Sequence, residues 1–166
     1  MKRPKKKGYV LVYNVMTNPT DIVKLAKDFA GKRGLEVIEL SEYYENKRLV
    51  KGSSHKVIYN IGIEEWLGYM YDAEYIFTNS FHASCFSILF EKQFFTGKRA
   101  GGKITSLLEL LGLSDRAITE CFDKKKNYKG TDIDYAPVNE KRREIKDASA
   151  KFLLDAIHDI EEKQKR

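Results

Sequence analysis

Apolar residues in this chain follow two rhythms: short unbroken runs, and stretches that repeat every three or four positions. Gly8-Tyr9-Val10-Leu11-Val12-Tyr13-Asn14 is a run of the first kind and predicts a buried strand. Asn18-Pro19-Thr20-Asp21 then gives a stop and a helix cap. Ile22, Leu25, Ala26, Phe29 and Ala30 recur at helical spacing, and Gly34 stands where a helix would close. Leu35 to Leu40 predicts a second strand. A helix between two apolar runs implies parallel strands joined by a right-handed crossover.

The pattern continues in the same manner. Residues 41–55 are polar and predict a loop, and Lys56 to Tyr59 a short strand. Gly62 to Tyr71 reads as a helix with Ile63, Trp66, Leu67 and Met70 on one face. Ala73 to Thr78 is a strong third strand, with Asn79-Ser80 as cap residues. Phe81 to Phe90 is apolar almost all round and predicts a buried helix, followed by a short strand at Gln93 to Thr96. Ile104, Leu107, Leu108 and Leu111 form a further helix closed by Gly112, and Ser114-Asp115-Arg116 a short helical turn. Residues 123–138 read as loop. From about Asn139 to Glu162 runs a long amphipathic helix with Ile145, Ala148, Phe152, Leu153, Ala156, Ile157 and Ile160 as its apolar positions. This alternation predicts an α/β fold, a doubly wound, Rossmann-like parallel sheet with residues 9–13, 35–40 and 75–78 as central strands. Residues 1–7 are expected to be a basic disordered tail and residues 8–166 a single α/β domain.

Composition narrows the classes. The chain has 166 residues, 42% of them hydrophobic, with 3 Pro and 11 Gly, which excludes a disordered or low-complexity chain. The net charge is +6, but Lys2, Arg3, Lys5, Lys6 and Lys7 account for most of it, so the rest of the chain is nearly neutral. A neutral body argues against a dedicated nucleic-acid binder. No apolar stretch is long enough for a membrane span. The basic N-terminus lacks the apolar core of a signal peptide. Two cysteines, Cys85 and Cys121, provide neither a disulfide framework nor zinc spacing. Cytoplasmic residence is the expectation.

On a doubly wound sheet ligands bind beyond the carboxyl ends of the strands. The candidate there is Thr78-Asn79-Ser80-Phe81-His82, which ends a strand and opens a helix. Free backbone N–H groups and the helix dipole make such a turn an anion site, and His82 in its first turn can donate a proton or hydrogen-bond a phosphate. The bland alternative is that Ser80 is an ordinary cap and His82 a half-buried structural residue.

The loop Gly97-Lys98-Arg99-Ala100-Gly101-Gly102-Lys103 has the spacing of a nucleotide phosphate loop, but Ile104 stands where that motif needs a hydroxyl. It is a basic loop that closes on some other anion, or a solvated one. The first turn has no glycines and so is no dinucleotide fingerprint. Glu64-Glu65 reads as a helix start, Cys85 as core, and His55 and His158 as surface residues. The seven aromatics from Tyr59 to Phe81 read as core. No metal cluster is visible.

The run Gly62-Ile63-Glu64-Glu65-Trp66-Leu67, followed by Asp72 to Phe94 with its Asn79-Ser80-Phe81-His82-Ala83 turn and its Phe86-Ser87-Ile88-Leu89-Phe90 helix, resembles the polysaccharide pyruvyl transferase family. Lys103 to Arg116 is similar to the family's next block, so that the motifs cover about residues 62–118. Residues 9–40 fit the same domain with little motif content. Many members have Asp where this chain has Asn79, and Gly where it has Ala83.

The resemblance implies the carboxyl-terminal domain of a two-domain, GT-B-like transferase, the amino-terminal domain having no counterpart here. It implies phosphoenolpyruvate as donor substrate, no further cofactor, and a sugar of a surface polysaccharide as acceptor, as in exopolysaccharide biosynthesis. His82 would be the catalytic proton donor. The donor's phosphate and carboxylate would meet the turn at Asn79, Ser80 and Phe81, with Lys98, Arg99 or Lys103 supplying positive charge. Two alternatives remain open: a binding or scaffold domain that kept the fold without turnover, and the nucleotide-sugar-binding half of a GT-B glycosyltransferase. The 166-residue chain alone is expected to fold, to bind phosphoenolpyruvate weakly at best, and not to turn over.

Overall fold

In the computed structural model, the described residues are Lys2, Pro4, 8–15, 20–41, 55–97, 102–118 and 132–164. Tertiary contacts divide the chain into two units, Met1–Asp132 and Ile133–Arg166. The first is a six-stranded sheet. Its elements are β1 (Val10–Tyr13), α1 (Thr20–Gly31), β2 (Val37–Ser41), β3 (His55–Tyr59), α2 (Ile63–Asp72), β4 (Tyr75–Thr78), α3 (Phe81–Leu89), β5 (Gln93–Gly97), α4 (Lys103–Leu111) and β6 (Ala117–Ile118). The strand order is β3-β2-β1-β4-β5-β6, and every pair is parallel. The continuous apolar runs of β1 and β4 thus lie side by side in the middle, each flanked on both edges. β6 has only two residues, too short for any periodicity to announce it.

Side chains of a strand alternate between the faces of its sheet. Val10 and Val12 of β1, Val37 of β2, Phe77 of β4 and Phe95 of β5 bury one face against Leu25, Ala26, Phe29 and Ala30 of α1. Phe29 is the keystone of this layer. Its ring meets Tyr75, Phe77 and Phe95 edge-on at centroid distances of 4.7, 5.2 and 5.8 Å, and the Arg33 guanidinium lies 3.7 Å above it. On the opposite face Tyr9, just before β1, and Tyr13 of β1 meet α2: the Tyr9 hydroxyl donates to the Tyr69 carbonyl at 2.8 Å, and Tyr13 packs edge-on against Trp66.

α3 also lies on this second face. Its fully buried positions are small ones, Ala83, Ser84 and Ser87, which let the helix approach the sheet closely. The Ser84 hydroxyl donates to the Ser80 carbonyl and meets Thr96 Oγ1 of β5 at 3.1 Å, and Ser87 donates to the Ala83 carbonyl. No buried hydroxyl is therefore left unmatched on this face of α3. α4 buries Ile104, Leu108 and Leu111 and closes on Gly112, whose φ of +71° lets the Leu113 N–H reach back to the Leu108 carbonyl at 2.7 Å.

Three expectations change. His55, expected at the surface, has a buried side chain, with Nε2 3.0 Å from Glu39 Oε2 on the neighbouring strand. The two residues stand diagonally across the β2–β3 ladder, on one face, a pairing invisible at a sequence separation of sixteen. The second unit is the long helix α5 (Tyr135–Gln164), which begins inside the stretch expected to be loop. Asp134 Oδ1 accepts the Ala136 N–H at 3.0 Å, and Pro137 sits in the first turn, where no N–H is needed. Third, most of the apolar positions singled out on α5 are exposed, namely Phe152, Leu153, Ile157 and Ile160, while Ile145 and Ala156 are half-buried. The tail at residues 1–7 and the loops at 41–55 and 123–138 fall largely outside the described residues. Lys2 donates its N–H to the Glu64 carbonyl. Among the described residues no helix is long and apolar enough to cross a membrane.

The packing of Phe29 predicts a large loss on truncation. Phe29→Ala is expected to cost about 3–5 kcal/mol, a sizeable share of a domain's stability. Urea unfolding followed by circular dichroism measures it, and a loss below about 1 kcal/mol would show that the aromatic layer does not hold the sheet to α1.

Candidate functional site

The order β3-β2-β1-β4-β5-β6 reverses direction between β1 and β4, so the crevice of the fold opens at their carboxyl ends. Both strand ends are tied together there. Thr78 Oγ1 donates to the Tyr13 carbonyl and accepts the Ser80 N–H at 3.0 Å. Asn79 uses both halves of its amide: Oδ1 accepts the Val15 N–H at 2.8 Å, and Nδ2 donates to the Val15 carbonyl at 3.4 Å. An aspartate could make the first of these bonds and not the second.

Ser80 is the cap of α3. Its backbone is extended, with φ −87° and ψ 129°, and its Oγ accepts the Ala83 N–H at 3.4 Å. Ala83 is fully buried, so its methyl packs inside the fold. The first two helical residues, Phe81 and His82, have N–H groups with no acceptor among the described residues. The first turn of α3 carries no acidic residue. Two free donors at a positive helix end form an anion-binding arrangement. His82 is exposed beside them, and Phe81 is half-buried with its ring 5.9 Å from the imidazole.

Of the residues singled out from the sequence, the structure brings Asn79, Ser80, Phe81 and His82 into one turn at the crevice. Asn79 and Ser80 are buried, with side chains engaged in building that turn. Lys98 and Arg99 lie outside the described residues. Their loop leaves from Gly97, where a Cβ would stand 3.8 Å from that of Asn79 and 2.9 Å from the Ile22 Cδ1. Lys103 is exposed at the first position of α4. Cys85 is half-buried, and burial raises its thiol pKa, which suits a packing residue better than a nucleophile. Among the described residues no three His, Cys, Asp or Glu side chains gather as metal ligands.

Sequence reasoning missed a second feature of the same edge. A cavity of about 410 Å³ opens beyond β1 and β2, with Tyr13, Leu40, Asn60, Ile63 and Trp66 in its wall. These residues come from three separated segments, and Trp66 read as core. The signal available was its isolation, since Trp66 is the chain's sole tryptophan and sits in the first turns of a helix that starts at a strand's carboxyl end.

The tie between Asn79 and Val15 is testable. Asn79→Leu leaves the Val15 N–H without its acceptor, and a loss of about 1–3 kcal/mol is expected. Asn79→Asp keeps that acceptor, so it should lose less at neutral pH. Urea unfolding ranks the variants, and amide exchange at Val15 should speed up most in Asn79→Leu. Equal stability of all three proteins would show that the tie is idle.

Comparison with known proteins agrees with this architecture. The chain is similar in fold to Methanocaldococcus jannaschii UDP-GlcNAc 2-epimerase, solved in complex with UDP-GlcNAc and UDP. The TM-score is 0.52 at 17% identity, covering 68% of this chain and 34% of that one. The glycotransferase of kitacinnamycin aligns with a TM-score of 0.49 at 13% identity, over 72% of this chain and 32% of that one. The chain therefore spans about a third of the length of either protein. No curated protein matches it. The fold is that of a GT-B-type domain. The family model for polysaccharide pyruvyl transferase matches residues 1–96, which takes in β1 through the α3 turn and most of β5, and stops short of the block at Lys103 to Arg116. Matched over more than half of its length, the chain belongs to the polysaccharide pyruvyl transferase family.

Proposed function

We propose that this chain is the donor-binding domain of a phosphoenolpyruvate-dependent transferase that builds a pyruvate ketal on a sugar of a surface polysaccharide, in the cytoplasm. The observation that carries the proposal is the pair of unpaired N–H groups at Phe81 and His82, on a helix end free of acidic residues, with an exposed imidazole beside them. Phosphoenolpyruvate brings a phosphate and a carboxylate, and such a helix end attracts anions.

In this reading the anion sits on the Phe81 and His82 amides. Asn79 and Ser80 hold the turn in shape. Lys103, and Lys98 and Arg99 from the adjoining loop, supply positive charge. Protonated His82 gives its proton to the methylene carbon of the donor. The neighbouring carbon becomes electrophilic and is attacked by one sugar hydroxyl. A second hydroxyl of the same sugar then displaces phosphate, which closes the ketal. The two hydroxyl protons restore the imidazole and leave with the phosphate. The protein groups needed are one general acid and an anion cradle. No further cofactor enters this scheme.

The chain spans a third of the proteins it resembles in fold, which supports a second domain as the other wall of the crevice. A single wall leaves the donor open to water, where each ion contact is worth only about 0–1 kcal/mol. The 166-residue chain is therefore expected to bind phosphoenolpyruvate with a millimolar dissociation constant and without turnover.

Titration by NMR tests this. Phosphoenolpyruvate should shift the Phe81 and His82 amides, and salt should weaken the effect. In a two-domain enzyme carrying this segment, His82→Asn should lower transfer about 10²–10⁴-fold with little loss of stability. Absence of any shift at α3, or a His82→Asn enzyme of near-normal rate, would overturn the proposal.

A further inference from the structure

The cavity beyond β1 and β2 has a chemistry unlike that of the α3 turn. Tyr13 and Trp66 form an edge-to-face pair at 5.4 Å, and Trp66 is held from its other side by Phe86 of α3 at 5.3 Å. Leu40 and Ile63 add apolar wall. Asn60 contributes an amide that has no partner among the described residues. Its backbone is held at φ +53°, a conformation that asparagine tolerates better than most residues. The Trp66 indole N–H is buried without an acceptor among the described residues, so the residue meets the cavity through its ring and not through that donor.

The lining rejects anions. The cavity reaches the N-terminus of α2 at Gly62, but that helix end is already neutralised. Glu64 and Glu65 lie in its first turn, and the Gly62 N–H donates to Glu65 Oε2 at 3.3 Å. What fits is an uncharged ring with one apolar face for the aromatics and a polar rim for the Asn60 amide. A pyranose has this character, and the volume lies within the range of small-ligand sites. The cavity is also placed for transfer. Phe86 follows His82 by one helical turn, so the two share a face of α3, and Trp66 rests on Phe86.

We propose that the Tyr13–Trp66 cavity binds the acceptor sugar ring and presents its hydroxyls toward the α3 turn. This rests on the pyruvyl-transfer reading of that turn.

Trp66 is the sole tryptophan of the chain, so its emission reports on this cavity alone. The 166-residue protein is titrated with methyl glycosides of galactose, glucose and mannose, each up to about 0.1 M because a single ring binds weakly. At least one glycoside should give a saturable change in emission, while inorganic phosphate and uridine give none. Ile63 is 80% exposed at the cavity wall, so Ile63→Arg leaves the fold intact and should weaken the response about tenfold or abolish it. Asn60→Ala should weaken it as well. A chain that binds phosphoenolpyruvate at the Phe81 and His82 amides but shows no glycoside response overturns the acceptor cavity and leaves the donor reading standing. A glycoside response without donor binding supports a sugar cavity and strikes the transfer reading. A response unchanged by Ile63→Arg, or a stronger one to uridine, overturns the proposal.

Discussion

The site depends on one small bridge, the Asn79 amide laid across the backbone of Val15. The loop after β1 leads to a helix on one face of the sheet, and the turn after β4 opens a helix on the other. Nothing in a parallel sheet holds two such diverging connections together, because ladder hydrogen bonds stop where the strands stop. Asn79 and Thr78 extend the β1–β4 pairing past the strand ends through side chains, one amide and one hydroxyl reaching Val15 and Tyr13. Asn79 is buried, so these bonds work in a low dielectric and are costly to leave unmade. The α3 N-terminus is thereby fixed against β1 as well as β4, and a fixed helix end is what an anion cradle requires.

The close seating of α3 is the second half of that constraint. A helix with large buried side chains would stand farther from the sheet. Ala83, Ser84 and Ser87 keep it near, and the serine hydroxyls are satisfied by the helix's own carbonyls or by Thr96. Of the larger side chains of α3, Ile88 is buried, Leu89 is exposed and Phe86 reaches Trp66. Only part of the hydrophobicity that marks α3 in the sequence is therefore buried. Part of it forms the link between the helix bearing His82 and the aromatic cavity.

This explains how far the sequence could be read. β1 and β4 were legible as central strands, since a strand covered on both faces must be apolar at successive positions, and Val10, Leu11 and Val12 are all fully buried. The turn at Asn79–His82 was legible because cap chemistry is local: Ser80 and the residue three ahead decide it. Everything set by pairs distant in sequence was hidden. His55 meets Glu39 only through the β2–β3 register, and Asn79 meets Val15 at a separation of sixty-four. The cavity joins Tyr13, Leu40 and Asn60 to Trp66, four residues with no shared period. Pro137 suggested a loop because its place in a first turn depends on the cap before it, at Asp134.

The fold delivers several helix N-termini to one edge, and side chains give each a different use. After a parallel strand every helix starts at the carboxyl edge, so α2, α3 and α4 all begin there with the positive end of the dipole. On α2 two glutamates cancel that potential, and one of them occupies the Gly62 N–H. On α4 the first turn likewise carries no acid, and its first residue is Lys103, which adds a fixed charge on a long stem. On α3 the first turn has neither an acid nor a base of fixed charge. Its free N–H groups stay available, and the one titratable residue there is His82, which can hold or release a proton. On the pyruvyl-transfer reading proposed above, a charged donor and an uncharged acceptor need separate compartments within reach of one proton source. An open α3 end beside a self-neutralised α2 end provides that separation, with the Trp66–Phe86 contact joining their walls.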